Sequence, residues 1–233
     1  MQATPFRESL VTTHTQMPIT AFAVVFFLSF CLVVLLTPLA ILLGERWNIV
    51  DTPGGRRKHR GRIVRLGGLS LYPAFLLAAL IPFALGIPRE DPLEVTRLTG
   101  VLLGMGFVWV IGLLDDRFKL SPWVQLAGLV AGALIAVLFK VFIEIFNNPF
   151  NNAQVKVDWY LMLPLTLVWI VGITGTVNVL DGLDGLATGV TGIVALVLFA
   201  HMLRLGQFSV ALLPLALLGC CLGFLVFIFI PAR

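Results

Sequence analysis

The sequence predicts an all-α protein: a polytopic bundle of about seven transmembrane helices with its amino terminus outside. Three observations carry this. Of 233 residues, 59% are hydrophobic and only 12% charged, where a soluble domain carries about 25% charge. Mean hydropathy is +1.01, and seven apolar stretches approach the roughly 20 residues that a membrane span needs. Basic residues gather in one segment between those stretches, so the net charge of +4 is a topology signal and not a nucleic-acid footprint.

Residues 1–17 form a polar tail with Arg7 and Glu8, and residues 18–233 a single bundle. The first apolar run, roughly 18–43, is longer than the roughly 7–15 residues of a signal-peptide core and reads as a retained span. The others lie at roughly 67–86, 98–114, 122–146, 159–177, 189–204 and 208–230, the third, fifth and sixth being the shorter windows. Pro38, Pro73, Pro82, Pro164 and Pro214 fall inside windows, where neighbouring helices can satisfy the freed backbone groups. Cys31, Cys220 and Cys221 sit in apolar runs and read as small buried hydrophobes. Tryptophans 47, 109, 123, 159 and 169 mostly fall near window ends, as interfacial anchors do.

The segment 44–66 holds Arg46, Arg56, Arg57, Lys58, Arg60, Arg62 and Arg65, which makes it cytoplasmic. Alternation then sets Arg117, Lys119, the DGLDG segment and Arg233 inside, with Arg89, Arg97, Lys156 and Arg204 outside. The basic segment can serve topology and anionic lipid alone. Its turn chemistry (Asp51, Pro53, Gly54, Gly55) and the cluster Arg56-Arg57-Lys58-His59 also suit phosphate oxygens, which arginine can bind bidentately.

Two acidic elements face the same side. Asp115-Asp116-Arg117 closes the third window. Adjacent helical residues point about 100° apart, so one carboxylate suits a metal and the other a ligand or proton; a polar helix end neutralised by Arg117 is the plainer reading. Asp181 and Asp184 lie in the stretch from Thr174 to Gly189, which contains no lysine or arginine. Acids at a membrane edge are costly, and a divalent cation is the simplest neutraliser. Magnesium commonly takes one or two carboxylates plus substrate phosphates. Asn178 can bind a ligand or cap a helix. The pattern is neither an EF-hand loop nor a Walker A motif. Of the remaining polar residues, Lys140 and Glu144 are four apart and can pair on a helix. His201 reads as a snorkelling or packed side chain.

In combination these stretches resemble the polyprenyl-phosphate N-acetylhexosamine-1-phosphate transferases, the undecaprenyl-phosphate N-acetylglucosaminyl 1-phosphate transferase-like branch of glycosyltransferase family 4. The matching motifs are Asp51-x-Pro53 through Arg56, His59 and Gly67-Gly68; Gly112 with Asp115-Asp116-Arg117; and Asn178-x-x-Asp181-Gly182-x-Asp184-Gly185-Leu186-Ala187. Residues 169–174 resemble the branch using UDP-N-acetylglucosamine more than the one using the muramyl-pentapeptide nucleotide. Arg57, Val64 and Gly175 depart from the family's usual lysine, proline and asparagine. The chain reads as the amino-terminal two-thirds of such an enzyme.

The resemblance implies transfer of N-acetylhexosamine 1-phosphate from a UDP-N-acetylhexosamine to polyprenyl phosphate at the cytoplasmic face of the plasma (inner) membrane, with UMP released. This would start wall-polymer or surface-glycan synthesis, such as teichoic acid or lipopolysaccharide. Magnesium, or manganese, would be held by Asp115, Asp116, Asp181 and Asp184, the same residues serving catalysis. Arg56, Arg57, His59 and Asn178 would bind substrate. A homo-oligomer is compatible with this reading, and no nucleic-acid partner is expected. The rival readings are an inactive truncated fragment, a cation-coupled transporter, which would want its acids near mid-membrane, and an isoprenoid transferase using aspartates on lipid diphosphate.

Overall fold

The computed structural model describes residues 19–46, 50–51, 63–64, 68–89, 91–147, 153–180 and 185–228. Among these, seven α-helices run in order: α1 (Ile19–Arg46), α2 (Gly68–Ala84), α3 (Glu94–Phe118), α4 (Pro122–Leu138), α5 (Trp159–Leu180), α6 (Leu186–Arg204) and α7 (Phe208–Ile228). Helices α1, α3, α5, α6 and α7 are long and apolar enough to cross a membrane, while α2 and α4 have 17 residues each. The all-α membrane bundle expected from hydropathy is therefore present. The short helices, however, are the second and fourth, because α3 and α5 continue into polar residues that a hydropathy window discards.

Two antiparallel ribbons lie outside that expectation. β1 (Val50–Asp51) pairs with β2 (Ile63–Val64), bracketing the basic segment. β3 (Ile145–Asn147) pairs with β4 (Gln154–Lys156) before α5. The fourth span does not reach residue 146: α4 stops at Leu138, and Lys140 turns the chain with φ 66°. Val141, Ile143 and Ile145 are β-branched and suit the extended chain that follows. The Lys140–Glu144 helical pair consequently does not form, and Glu144 meets Arg97 instead, at 3.2 Å.

Packing follows membrane rules. In lipid, close backbone approach and van der Waals contact hold helices together, and small residues permit that approach. Gly104 of α3 faces Gly132 of α4, where a Cβ at Gly104 would lie 2.7 Å from the Gly132 carbonyl oxygen, while Gly100 of α3 meets Ala136 and Phe139 and Gly128 of α4 meets Ile111. On the other side of the bundle Gly219 and Gly223 of α7 meet Phe26, Ser29 and Phe30 of α1. Thr37 donates to the Val33 carbonyl at 2.7 Å, and its hydroxyl shares a 2.9 Å hydrogen bond with that of Ser70, joining α1 to α2 inside the apolar core. That core draws on α1, α2, α3 and α7, with Val25, Val33, Ala74, Ala78, Leu212 and Cys220 fully or nearly fully buried. Cys220 and Cys221 are buried as expected, but Cys31 is exposed on the outside of α1. Helix α5 buries only Thr166 and is otherwise open on the face away from α4.

Helices α1 to α5 alternate in direction along the chain, which sorts the polar residues to two ends. One end carries the start of α2, the close of α3, the start of α4 and the close of α5. The other carries Arg89, Glu94, Arg97, Glu144 and Ser209, linked by hydrogen bonds and ion pairs.

Candidate active site

Asp115 and Asp116 stand in the last turn of α3, both half-buried. Acids are disfavoured there, since a helix C-terminus carries partial negative charge. Local chemistry compensates for Asp115. The helix ends in a left-handed residue, Lys119 (φ 52°), whose N–H donates to the Asp115 carbonyl at 2.8 Å. The chain then turns back, so that Leu120 N–H donates to Asp115 Oδ1 at 2.8 Å and Gln125 Nε2 donates to the same oxygen at 2.9 Å. Pro122 sits in the first turn of α4, where its missing N–H costs nothing. Asp115 thus locks the α3–α4 corner through one oxygen, and its Oδ2 has no hydrogen bond among the described residues. Asp116 is the next residue on the helix, rotated away from that corner.

Other elements converge on this end. Trp109, about two turns before Asp116, donates from Nε1 to the Gly68 carbonyl at 3.1 Å. Its ring lies 5.3 Å from that of Tyr72, whose hydroxyl donates to the Leu102 carbonyl at 2.8 Å. The carboxyl side of the basic segment is thereby fastened to α3. Trp109 and Trp169 lie inside their helices, whereas Trp123 and Trp159, exposed at helix starts, behave as interfacial anchors. Helix α5 runs antiparallel to α4: Thr166 accepts from Ile143 N–H at 3.0 Å, and Gly175 faces Leu129. The last turn of α5, with exposed Asn178, therefore ends beside the start of α4. Asn178 is not a helix cap, for α6 begins after Gly185, at φ 75°. His201 is exposed in the last turn of α6.

Asp181 and Asp184 lie outside the described residues, as do Arg56, Arg57 and His59. The flanks of both segments are described, however: Leu180 and Gly185 on one side, and the β1–β2 ribbon and Gly68 on the other. Among the described residues no three acidic, histidine or cysteine side chains gather as a metal group. Asp115 and Asp116 offer hard oxygen ligands without thiol or imidazole, a donor chemistry that fits magnesium or manganese. Gln125 was not anticipated; its signal was the lone side-chain amide of its window, ten residues after Asp115.

Comparison with known proteins adds an independent line. The pattern of glycosyl transferase family 4 matches residues 98–233. A probable undecaprenyl-phosphate N-acetylglucosaminyl 1-phosphate transferase of Bacillus subtilis is 32% identical over 210 residues, covering 90% of this chain and 56% of that relative. An undecaprenyl-phosphate alpha-N-acetylglucosaminyl 1-phosphate transferase of Pasteurella multocida is 34% identical over 90 residues, 38% of this chain and 22% of the relative. A decaprenyl-phosphate N-acetylglucosaminephosphotransferase of Mycolicibacterium smegmatis is 29% identical over 96 residues, 41% and 24% of the two chains. The chain spans little more than half the length of the Bacillus relative. The family match begins in the first turns of α3, takes in both acidic elements and extends over more than half of the residues, so this chain belongs to glycosyl transferase family 4.

Proposed function

We propose that the protein is a polyprenyl-phosphate N-acetylhexosamine-1-phosphate transferase that uses UDP-N-acetylglucosamine and works at the cytoplasmic face of the plasma membrane. The observation that carries the reading is a shared end: Asp115 and Asp116, Asn178 and the Gly68 anchor of the basic segment all lie at the one end of the bundle where α2 and α4 start and α3 and α5 close. Three relatives, named as N-acetylglucosamine 1-phosphate transferases acting on a polyprenyl phosphate, support the same class. Acids in the last turn of a helix suit an interfacial reaction better than a mid-membrane ion path.

In this reading an oxygen of the lipid phosphate attacks the β-phosphorus of the UDP-sugar. A new P–O bond forms, the bond from the β-phosphorus to the bridging oxygen breaks, and UMP leaves with that oxygen. Asp116 with Asp181 and Asp184 would hold magnesium, which when bound screens the two anions and stabilises the leaving phosphate. Asp115 orients its neighbour by fixing the α3–α4 corner. Arg56, Arg57 and His59 contact phosphate oxygens, and Asn178 hydrogen-bonds the donor. Near neutral pH the lipid phosphate is already largely ionised, so positioning suffices without a base.

The test is UMP release from UDP-N-acetylglucosamine and polyprenyl phosphate by the purified full-length gene product, with and without magnesium. Metal-dependent release is the expected outcome. Ion flux into proteoliposomes without UMP would replace this reading with a transporter.

A further inference from the structure

At the end of the bundle opposite Asp115, the β3–β4 ribbon presents apolar side chains that the chain itself does not cover. Phe146 and Val155 are cross-strand partners on one face, 46% and 37% exposed. The other face mixes exposed Gln154, which pairs with Asn147, with Lys156 and its partner Ile145. We infer that the Phe146–Val155 face lies in the lipid head-group layer at this end of the protein, so that the ribbon is a membrane-surface anchor attached to α5.

Three contacts fix where the ribbon starts. Ile143 N–H donates to Thr166 Oγ1 at 3.0 Å, in the body of α5 and about 10 Å past Trp159 at 1.5 Å per residue. Val157 N–H donates to the Glu144 carbonyl at 2.9 Å and closes the base. Arg97 of α3 holds the Glu144 carboxylate at 3.2 Å. The chain therefore enters β3 from beside a buried part of a membrane-spanning helix, and not from a long tether in water. Each strand has three residues, which at about 3.3 Å per residue reach only about 10 Å. The interfacial layer is itself about 5–8 Å deep on each side of the hydrocarbon, so the strands stay close to it.

The chemistry of the neighbours agrees. Trp159 and Tyr160 open α5 with 82% and 58% exposure, their rings edge-to-face at 6.1 Å, as in the aromatic belts at membrane surfaces. Lys156 adds a cation three residues before Trp159 in the chain. A two-stranded ribbon has unpaired backbone groups on both outer edges, which hydrocarbon cannot satisfy. It also lacks a core of its own. A head-group layer supplies hydrogen-bond partners for the edges and apolar depth for Phe146 and Val155 at once.

The experiment uses the protein in lipid nanodiscs, with Cys31, Cys220 and Cys221 replaced by alanine and a nitroxide placed through Phe146→Cys, Val155→Cys or Gln154→Cys. Collisions with dissolved oxygen and with a water-soluble nickel chelate report depth. Labels at 146 and 155 are expected to favour oxygen several-fold over the label at 154. Equal, water-like values at all three positions would overturn the inference, as would labels at 146 and 155 that neither reagent reaches, which would mean that protein covers the face. In parallel, the unsubstituted protein is irradiated with a bilayer-dissolved carbene precursor; an unlabelled 145–155 peptide beside a labelled α5 would also overturn it.

Discussion

At the end of the bundle marked by Arg89 and Glu94, acids meet bases of the same chain, whereas at the end marked by Asp115 an acid meets neutral amides. Glu94 is nearly buried; it accepts Arg89 at 2.7 Å and the Ser209 hydroxyl at 2.9 Å, with Arg89 also stacked 4.0 Å over the Phe83 ring. Arg97 binds Asp91 at 3.0 Å and Glu144 at 3.2 Å. Asp115 has no such cation among the described residues; the Leu120 amide and the Gln125 side chain hold it. Charge cancelled inside the chain serves architecture. Charge held in place by neutral donors is still available to a cation or phosphate that arrives from outside. Under the proposed function, the first end serves structure and the second holds the chemistry.

The largest expected effect tests that assignment directly. In the full-length protein, Asp116→Asn should lower UMP release by about 10²-fold or more, the scale of removing a group that stabilises developing charge. Its unfolding in detergent should match wild type. Retained turnover would break the comparison at once. Next comes Glu94→Ala at the other end. It leaves Arg89, only 15% exposed, without its carboxylate, and should cost about 2 kcal/mol of stability by chemical unfolding. Turnover per folded molecule should be unchanged; a loss of turnover with intact stability would move chemistry to the wrong end.

Much of this was legible in the sequence, and the gaps have physical causes. Seven apolar windows became the seven helices of the described residues because hydropathy marks the spans and a backbone in hydrocarbon must satisfy its own hydrogen bonds. Asp115 and Asp116 were recognisable because acids at a span's edge break a local rule. What separates the two acids was hidden, since it depends on the left-handed Lys119 and on Gln125 returning from the next helix. The end of α4 at Leu138 was hidden as well. Residues 141–143 are as apolar as the helix before them, and hydropathy does not distinguish helix from strand. The error displaced a charge partner too, giving Glu144 to Arg97 in place of Lys140. Trp109 showed only that it was aromatic; its tie to the Gly68 carbonyl joins positions 41 apart in the chain.

A smaller effect sharpens the division within the acidic end. Gln125→Leu removes one neutral donor from Asp115 Oδ1 while Leu120 N–H remains. A hydrogen bond to a charged group contributes about 1.5–3 kcal/mol at most, and the remaining donor limits the loss, so turnover should fall by less than about tenfold, equivalent to about 1.4 kcal/mol. Asp115→Asn keeps an acceptor at the same place, so it should fold as wild type does. Turnover would then report only what the lost charge contributes.

The smallest effect belongs to the most visible ion-pair cluster. Arg97 touches Asp91, Glu144 and the Lys140 carbonyl, yet its side chain is 39% exposed and those of its two acids are 43% and 52% exposed. Pairs so open to solvent contribute only about 0.2–1 kcal/mol, because water screens them and ordering long side chains costs entropy. Arg97→Gln should therefore destabilise by less than about 1 kcal/mol, and the difference from wild type should shrink as salt is raised. Glu94→Ala should respond to salt far less, since its pair is shielded by α7 and Phe83. If Arg97→Gln proved the more damaging of the two, burial would not be what grades the charges at this end. Its contacts to the base of the β3–β4 ribbon would then carry the stability instead.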